Sequence, residues 1–307
     1  MADAISSRAI MTGNFRSVQL SFALTCLVAL SVPLAAAGQT VEVRSPPHRL
    51  VIGMLALRSS PDDSSGESSS NGLTLGIEEA QRTGRLFGWE IVVVLPPDSL
   101  PTIEAQRYLI ASTPTAIVGD LTRSALRDLR RTIAPLYLDL GSAPRRPHGE
   151  CGDRAFRLLP SNRSAQPSTK ADTEITTDRL SVVAWHPALE RFGAAQLNER
   201  YRKRFGTNMD ERAWAGWLSI KVLLDAALRT GTSDHCTLER FFLSATGRFD
   251  GHKGVPLFFD PQTRELVQPL YAPRRSGELE MVSVPPSNDA TSRVPGMGGT
   301  RCAPTCG

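Results

Sequence analysis

A chain of 307 residues is long enough for two domains, yet neither of its ends reads as domain material. Its formal charge of +4 falls to +3 when residues 1–37 are set aside, because Arg8 and Arg16 leave with Asp3. No basic run with interleaved aromatic residues occurs, so composition and charge exclude nucleic acid as a supported partner.

Arg8 and Arg16 precede an apolar stretch, Val18 to Leu34, followed by the small residues Ala35-Ala36-Ala37. That order of charge, apolar run and small residues is the pattern of a cleaved export signal, and residues 1–37 are read as one; an uncleaved anchor is the alternative. Cys26 lacks the leucine-to-small pattern before it that a lipoprotein site carries, so no lipid anchor is expected.

From Leu50 to Leu140 short apolar runs alternate with helical periodicity. The runs are Leu50 to Leu55, Glu90 to Leu95, Thr115 to Gly119 and Pro135 to Leu140. Runs that are apolar on both faces and rich in β-branched residues predict strands buried on two sides, hence a parallel sheet. Between them, a first helix is predicted to be capped by Asn71 and stopped by Gly84, a second to open at Pro101, and a third to be capped by Thr122 and run to Ile133. This βαβ rhythm places helices on both faces of the sheet and ligands beyond the carboxyl ends of its strands. The functional residues of this half are therefore expected at Ala56 to Ser60, Pro96 to Asp98 and Asp120 to Arg123. Ser59 to Asn71 is almost entirely Ser, Asp, Glu and Gly and reads as a loop, as does the polar Ser161 to Thr177.

Order returns at Leu180, where Leu180 to Trp185 is strand-like and His186-Pro187 is expected to begin a helix that ends at Gly206. Asp210 can cap a longer helix with an apolar stripe at Ala213, Trp217, Ile220, Leu224 and Ala227, stopped by Gly231; a short helix around Leu238 and Phe242 follows. Phe249 to Phe259 and Glu265 to Tyr271 read as the two arms of a hairpin turning at Asp260-Pro261. The organisation expected is a signal at 1–37, an α/β lobe at 48–143, a crossover and polar linker at 144–179, helices and hairpin packing back on the lobe at 180–275, and a Pro/Gly-rich tail at 276–307.

Chemistry-bearing motifs are scarce. No G-x-S-x-G, phosphate loop, H-E-x-x-H or C-x-x-C occurs, so no enzyme activity, cofactor or metal is expected. His186 is read as a helix cap, and His252-Lys253 as turn residues. Cys151, Cys236, Cys302 and Cys306 remain after removal of a signal; an oxidising compartment permits pairing, and all three pairings stay open.

Several stretches resemble one family. They are Trp185-His186-Pro187-Ala188-Leu189-Glu190, Phe192 to Asn198, Trp214-Ala215-Gly216-Trp217, Phe249 to Gly254 and Gln268 to Tyr271. The resemblance is to the periplasmic substrate-binding-protein-like component, of the branched-chain amino acid ABC transporter type, that accompanies pyrroloquinoline-quinone-dependent alcohol oxidation systems. It implies a type I periplasmic-binding-protein-like lobe, a parallel sheet flanked by helices, with a shortened second lobe ending in a β-hairpin. In that family a complete second lobe lies between segments like Arg154 to Ser161 and Val182 to Leu189. Only twenty residues join those points here, too few for a second parallel sheet built from units of about thirty residues. The implied function is non-enzymatic binding of a small polar solute in the periplasm, with an ABC transporter permease or a periplasmic dehydrogenase as partner. An accessory protein that has lost its cleft is the alternative. The candidate ligand-binding residues are Arg58, Ser59, Asp120, Thr122, Arg123 and Ser124, the last three at a helix start whose free amides favour an anion.

Overall fold

The computed structural model describes residues 48–55, 64–97, 100–120, 135–141, 155–160, 182–273 and 278–283. Five parallel strands form its centre: β1 (His48–Leu55), β2 (Trp89–Val94), β3 (Ala116–Gly119), β4 (Leu136–Asp139) and β5 (Ala155–Arg157). Their order is β2-β1-β3-β4-β5, and every neighbouring pair is parallel. Alternate side chains enter two apolar clusters. Leu50, Ile52, Met54, Ala116, Val118, Leu136, Leu138 and Phe156 join the large core on one face. Leu55, Ile117, Tyr137 and Ala155 meet Leu109 on the other. This is why the runs are continuous rather than alternating: the sheet has no wet face here, and each fully buried Leu or Ile contributes about 2 kcal/mol of transfer free energy.

Helix α1 (Ser64–Leu86) covers the large-core face and α2 (Thr102–Ala111) lies on the opposite one, its N-cap at Pro101. The expected loop at Ser59 to Asn71 is thus corrected over Ser64 to Asn71, which are helical. Asn71 lies inside α1 instead of capping it, and Gly84 falls in its last turn; the left-handed residue is Gly88, with φ +74°. Packing overrides the poor helix propensity of the serines. Ser69 is buried, and Ser68 donates its hydroxyl hydrogen to Asp210.

The partner of α1 is α4 (Glu211–Thr230), the longest buried helix after it, whose two tryptophans and aliphatic stripe are almost wholly enclosed. A Cβ at Gly72 would overlap the carbonyl of Ala213, and one at Gly216 would lie 2.5 Å from the carbonyl of Ser69, so the two helices touch backbone to backbone. Asp210 caps α4 by accepting from the Ala213 N–H at 2.8 Å, and Gly231 ends it with φ +70°. Both signals lie where the periodicity predicted them.

Helix α3 (Ala194–Phe205) begins eight residues later than the expected start at His186. Phe192 and Gly193 adopt φ +57° and +89°, which no helix tolerates, so residues 186–193 form turns. Helix α5 (His235–Phe242) precedes the short strands β6 (Phe249–Asp250), β7 (Pro256–Phe259) and β8 (Leu266–Val267), which pair antiparallel. The expected first arm is therefore two strands, broken where His252 and Gly254 take φ +60° and +78°. The second arm is also divided, since β9 (Leu270–Pro273) pairs with β10 (Leu279–Ser283) rather than with β7. The expected strand at Leu180 to Trp185 survives, over its described residues, as one antiparallel bridge between Val183 and Tyr271. A parallel bridge between Arg157 and Glu265 ties the hairpin to β5. Phe156, Phe242 and Phe259 pack ring to ring at 4.9 to 5.2 Å beneath that junction, and the larger core runs from Leu50 to Leu270.

Candidate functional site at the carboxyl edge of the sheet

Leu55, Gly119, Asp139 and Arg157 lie in register across β1, β3, β4 and β5, and form a row at the carboxyl ends of the strands. Asp139 and Arg157 are 2% and 3% exposed, and their side chains form an ion pair at 3.5 Å. Arg157 lies 3.7 Å from Glu265, whose side chain is one-quarter exposed and opens the row toward solvent. Asp139 also accepts from the Gly141 N–H at 2.9 Å. The exposed Asp120 follows β3, and a Cβ at Gly141 would collide with its carboxylate while lying 3.1 Å from that of Asp139. Glycine at 141 thus lets two carboxylates approach one stretch of backbone. A buried ion pair is costly to desolvate and fixes its partners in place once formed. The row is accordingly a rigid floor, with Asp120 as its accessible acid.

Of the predicted ligand residues, Asp120 stands at this edge. Arg58, Ser59, Thr122, Arg123 and Ser124 lie outside the described residues, as do the expected signal, the third helix and the 161–177 linker. Sequence reasoning overlooked Asp139, Arg157 and Glu265. The signal was present for two of them: a carboxylate inside the apolar run Pro135 to Leu140 and an arginine in Ala155-Phe156-Arg157-Leu158-Leu159 are charges where burial makes an unpaired charge untenable.

The residues that carried the family resemblance converge on a second feature, a packed joint around Lys253. Its ammonium is 2% exposed and donates to the carbonyl of Ala184, to Gln268 Oε1 at 2.6 Å and to the carbonyl of Pro269 at 3.1 Å, matching its three N–H groups. It lies 3.9 Å from the centre of the Trp214 ring, which stacks on Trp185 at 5.7 Å. Trp214 donates its Nε1–H to Gly251, Trp185 donates to Asn198, and Asn198 in turn holds the carbonyls of Pro187 and Leu189. Gln268 donates to the carbonyl of Leu158, just past β5, and so couples the joint to the sheet. Burial pushes the Lys253 ammonium well below the ordinary lysine range, with the Glu211 carboxylate opposing it. Burial likewise raises the Tyr271 phenol to about 12. His252, stacked on Trp217 at 5.2 Å, is lowered by burial against the pull of Asp250. His186 caps a turn rather than a helix, accepting from the Ala188 N–H at 3.2 Å. Lys253, expected as a turn residue, does lie in the bend between β6 and β7, and its buried side chain is the centre of the joint.

One group of potential metal ligands, Asp234, His235 and Cys236, occurs among the described residues. Cys236 is disulfide-bonded, and Asp234 caps α5 by accepting from Thr237, so two of the three donors are already engaged. No helix among the described residues is long and apolar enough to cross a membrane.

No protein-family model matches the chain, and no curated protein matches it. Solved structures do. An ABC-type branched-chain amino acid transporter from Rhodopseudomonas palustris aligns at 12% identity over 76% of this chain and 96% of its own, with a TM-score of 0.56. The branched-chain amino acid transporter substrate-binding protein LivJ from Streptococcus pneumoniae, in complex with isoleucine, aligns at 13% identity over 78% and 100%, with a TM-score of 0.54. A type 1 periplasmic binding protein from Bordetella pertussis aligns at 9% identity over 78% and 100%, with a TM-score of 0.50. The fold is that of type I periplasmic binding proteins. At these identities the likeness concerns architecture alone, and the parallel sheet flanked by helices expected from the sequence is the architecture found.

Proposed function

We propose that the chain is a periplasmic solute-binding-like protein, non-enzymatic, that holds a small polar solute at the carboxyl edge of its sheet and serves an ABC transporter permease. The observation that carries this reading is the row Leu55, Gly119, Asp139, Arg157 with Asp120 beside it, at the edge where parallel α/β sheets bind ligands. Arg58 and Ser59, which follow β1, and Thr122, Arg123 and Ser124, which follow Asp120, are the further contacts of the proposed site. The similarity to substrate-binding proteins, one of them holding isoleucine, supports the solute class. The sequence resemblance extends the reading to a system linked to pyrroloquinoline-quinone-dependent alcohol oxidation, reached through an N-terminal export signal at residues 1–37.

A thermal-shift screen of leucine, isoleucine, valine, short alcohols, their acids and pyrroloquinoline quinone tests it. A ligand at one hundred times its Kd stabilises the folded form by about 2.7 kcal/mol and raises Tm by several degrees. Asp120→Asn should abolish the shift without lowering the ligand-free Tm. A flat response to the whole set defeats the binding reading.

One observation favours a second reading, an accessory protein without a cleft: Arg157 is engaged by both Asp139 and Glu265, so this part of the edge satisfies its own charges. Recovery of a stable partner from mild periplasmic extracts, together with a flat ligand screen, is the outcome that reading requires.

A further inference from the structure

Leu86 is 83% exposed, the most exposed large apolar side chain among the described residues, and its neighbour Phe87 is 63% exposed. Single exposed apolar residues need no explanation, but these two are adjacent and held outward. The Phe87 N–H donates to Gly84 at 2.9 Å, and Gly88 reverses the chain with φ +74°. Trp89 is then buried at the start of β2, stacked on His48 at 4.9 Å.

The surroundings carry a positive surplus. Arg82 and Arg85 are exposed, and Arg82 lies one turn before Leu86 on the same helical face. Arg49 pairs with Glu90 at 3.0 Å across β1 and β2. Over His48–Arg49 and Gln81–Glu90 this makes three arginines against one glutamate. His48 donates its N–H to the carbonyl of Gly88 at 3.0 Å, which ties the turn to the start of β1. Two outward apolar side chains beside Arg82 and Arg85, which make no ion pair among the described residues, match the chemistry of an anionic bilayer surface, where acyl chains take the apolar groups and headgroups the arginines.

We infer that the Leu86–Phe87 turn, with Arg82 and Arg85, is a contact point for an anionic lipid bilayer at the amino edge of the sheet. The edge that faces solute then points away from the lipid, and this assignment stands independently of any ligand. The test places a reporter in the turn itself. The full chain carrying Phe87→Trp and the parent chain are mixed with phosphatidylglycerol vesicles containing brominated acyl chains, and tryptophan quenching is compared. The substituted chain should show extra quenching, reduced at least threefold by 0.5 M salt, by phosphatidylcholine vesicles or by the added pair Arg82→Glu and Arg85→Glu. Equal quenching in the two chains overturns the inference however the rest of the chain is held. So does a Phe87→Trp emission that changes with protein concentration and not with lipid, which would make the turn a contact between copies.

Discussion

At the scale of single residues, the joint around Lys253 shows how a charge becomes architecture. The three carbonyl acceptors and the Trp214 ring replace the water that an ammonium loses on burial, and the residues supplying them come from three separate stretches of sequence. Tyr271 closes the far side, its ring 5.5 Å from the ammonium. Burial pushes its phenol up to about 12 from the ordinary 10.0. A raised folded-state value means that the neutral phenol's contribution is intact below pH 10 and is lost as pH climbs toward 12. The urea midpoint of the parent should therefore fall more between pH 9 and pH 11.5 than that of Tyr271→Phe, which lacks the ionisable group. Parallel pH profiles would refute the assignment. Little of this was legible in the sequence. His252-Lys253 read as a polar turn, and His252 does sit in one at φ +60°. Nothing local marks Lys253 as buried, because its partners lie as far as 69 residues away.

At the scale of elements, the crossing of α1 and α4 is set by glycine. A methyl group at Gly72 has no room, since the carbonyl of Ala213 occupies the place and belongs to rigid helical backbone. Gly72→Ala must push the helices apart, at a cost of about 1–3 kcal/mol, even though alanine raises intrinsic helix propensity. A lowered Tm in thermal unfolding, with helical circular dichroism unchanged in the cold, is the expected result; a raised Tm would mean that propensity outweighs contact. The same crossing explains an error of sequence reading. Ser64 to Asn71 look unfit for a helix because their composition is loop-like, yet they are helical because α4 presses against them. The parallel strands were legible for the opposite reason: burial on two faces writes an unbroken apolar run. Strand breaks at Gly251 to Gly254 were not legible, since backbone signs at His252 depend on a fit against Gly193 and Trp217 made only in three dimensions.

At the scale of the whole molecule, Cys236 is disulfide-bonded. The bridge constrains α5, whose Phe242 packs on β5 through Phe156. Cys236→Ser should cost about 2–4 kcal/mol, and a reducing agent should lower the Tm of the parent by a similar amount while leaving the variant unmoved. An unchanged parent Tm on reduction would remove the bridge from the account of stability. The presence of paired cysteines was readable from their number; the pairing was not, because loop closure leaves no mark in local sequence.

The joint around Lys253 also governs timing. Its acceptors come from residues 184, 268 and 269, and the fifth strand gains its outer neighbour only at Glu265. A ribosome must therefore complete nearly the whole chain before the lysine can be enclosed. Until then the core lacks its last wall, so the fold closes only when synthesis is nearly over.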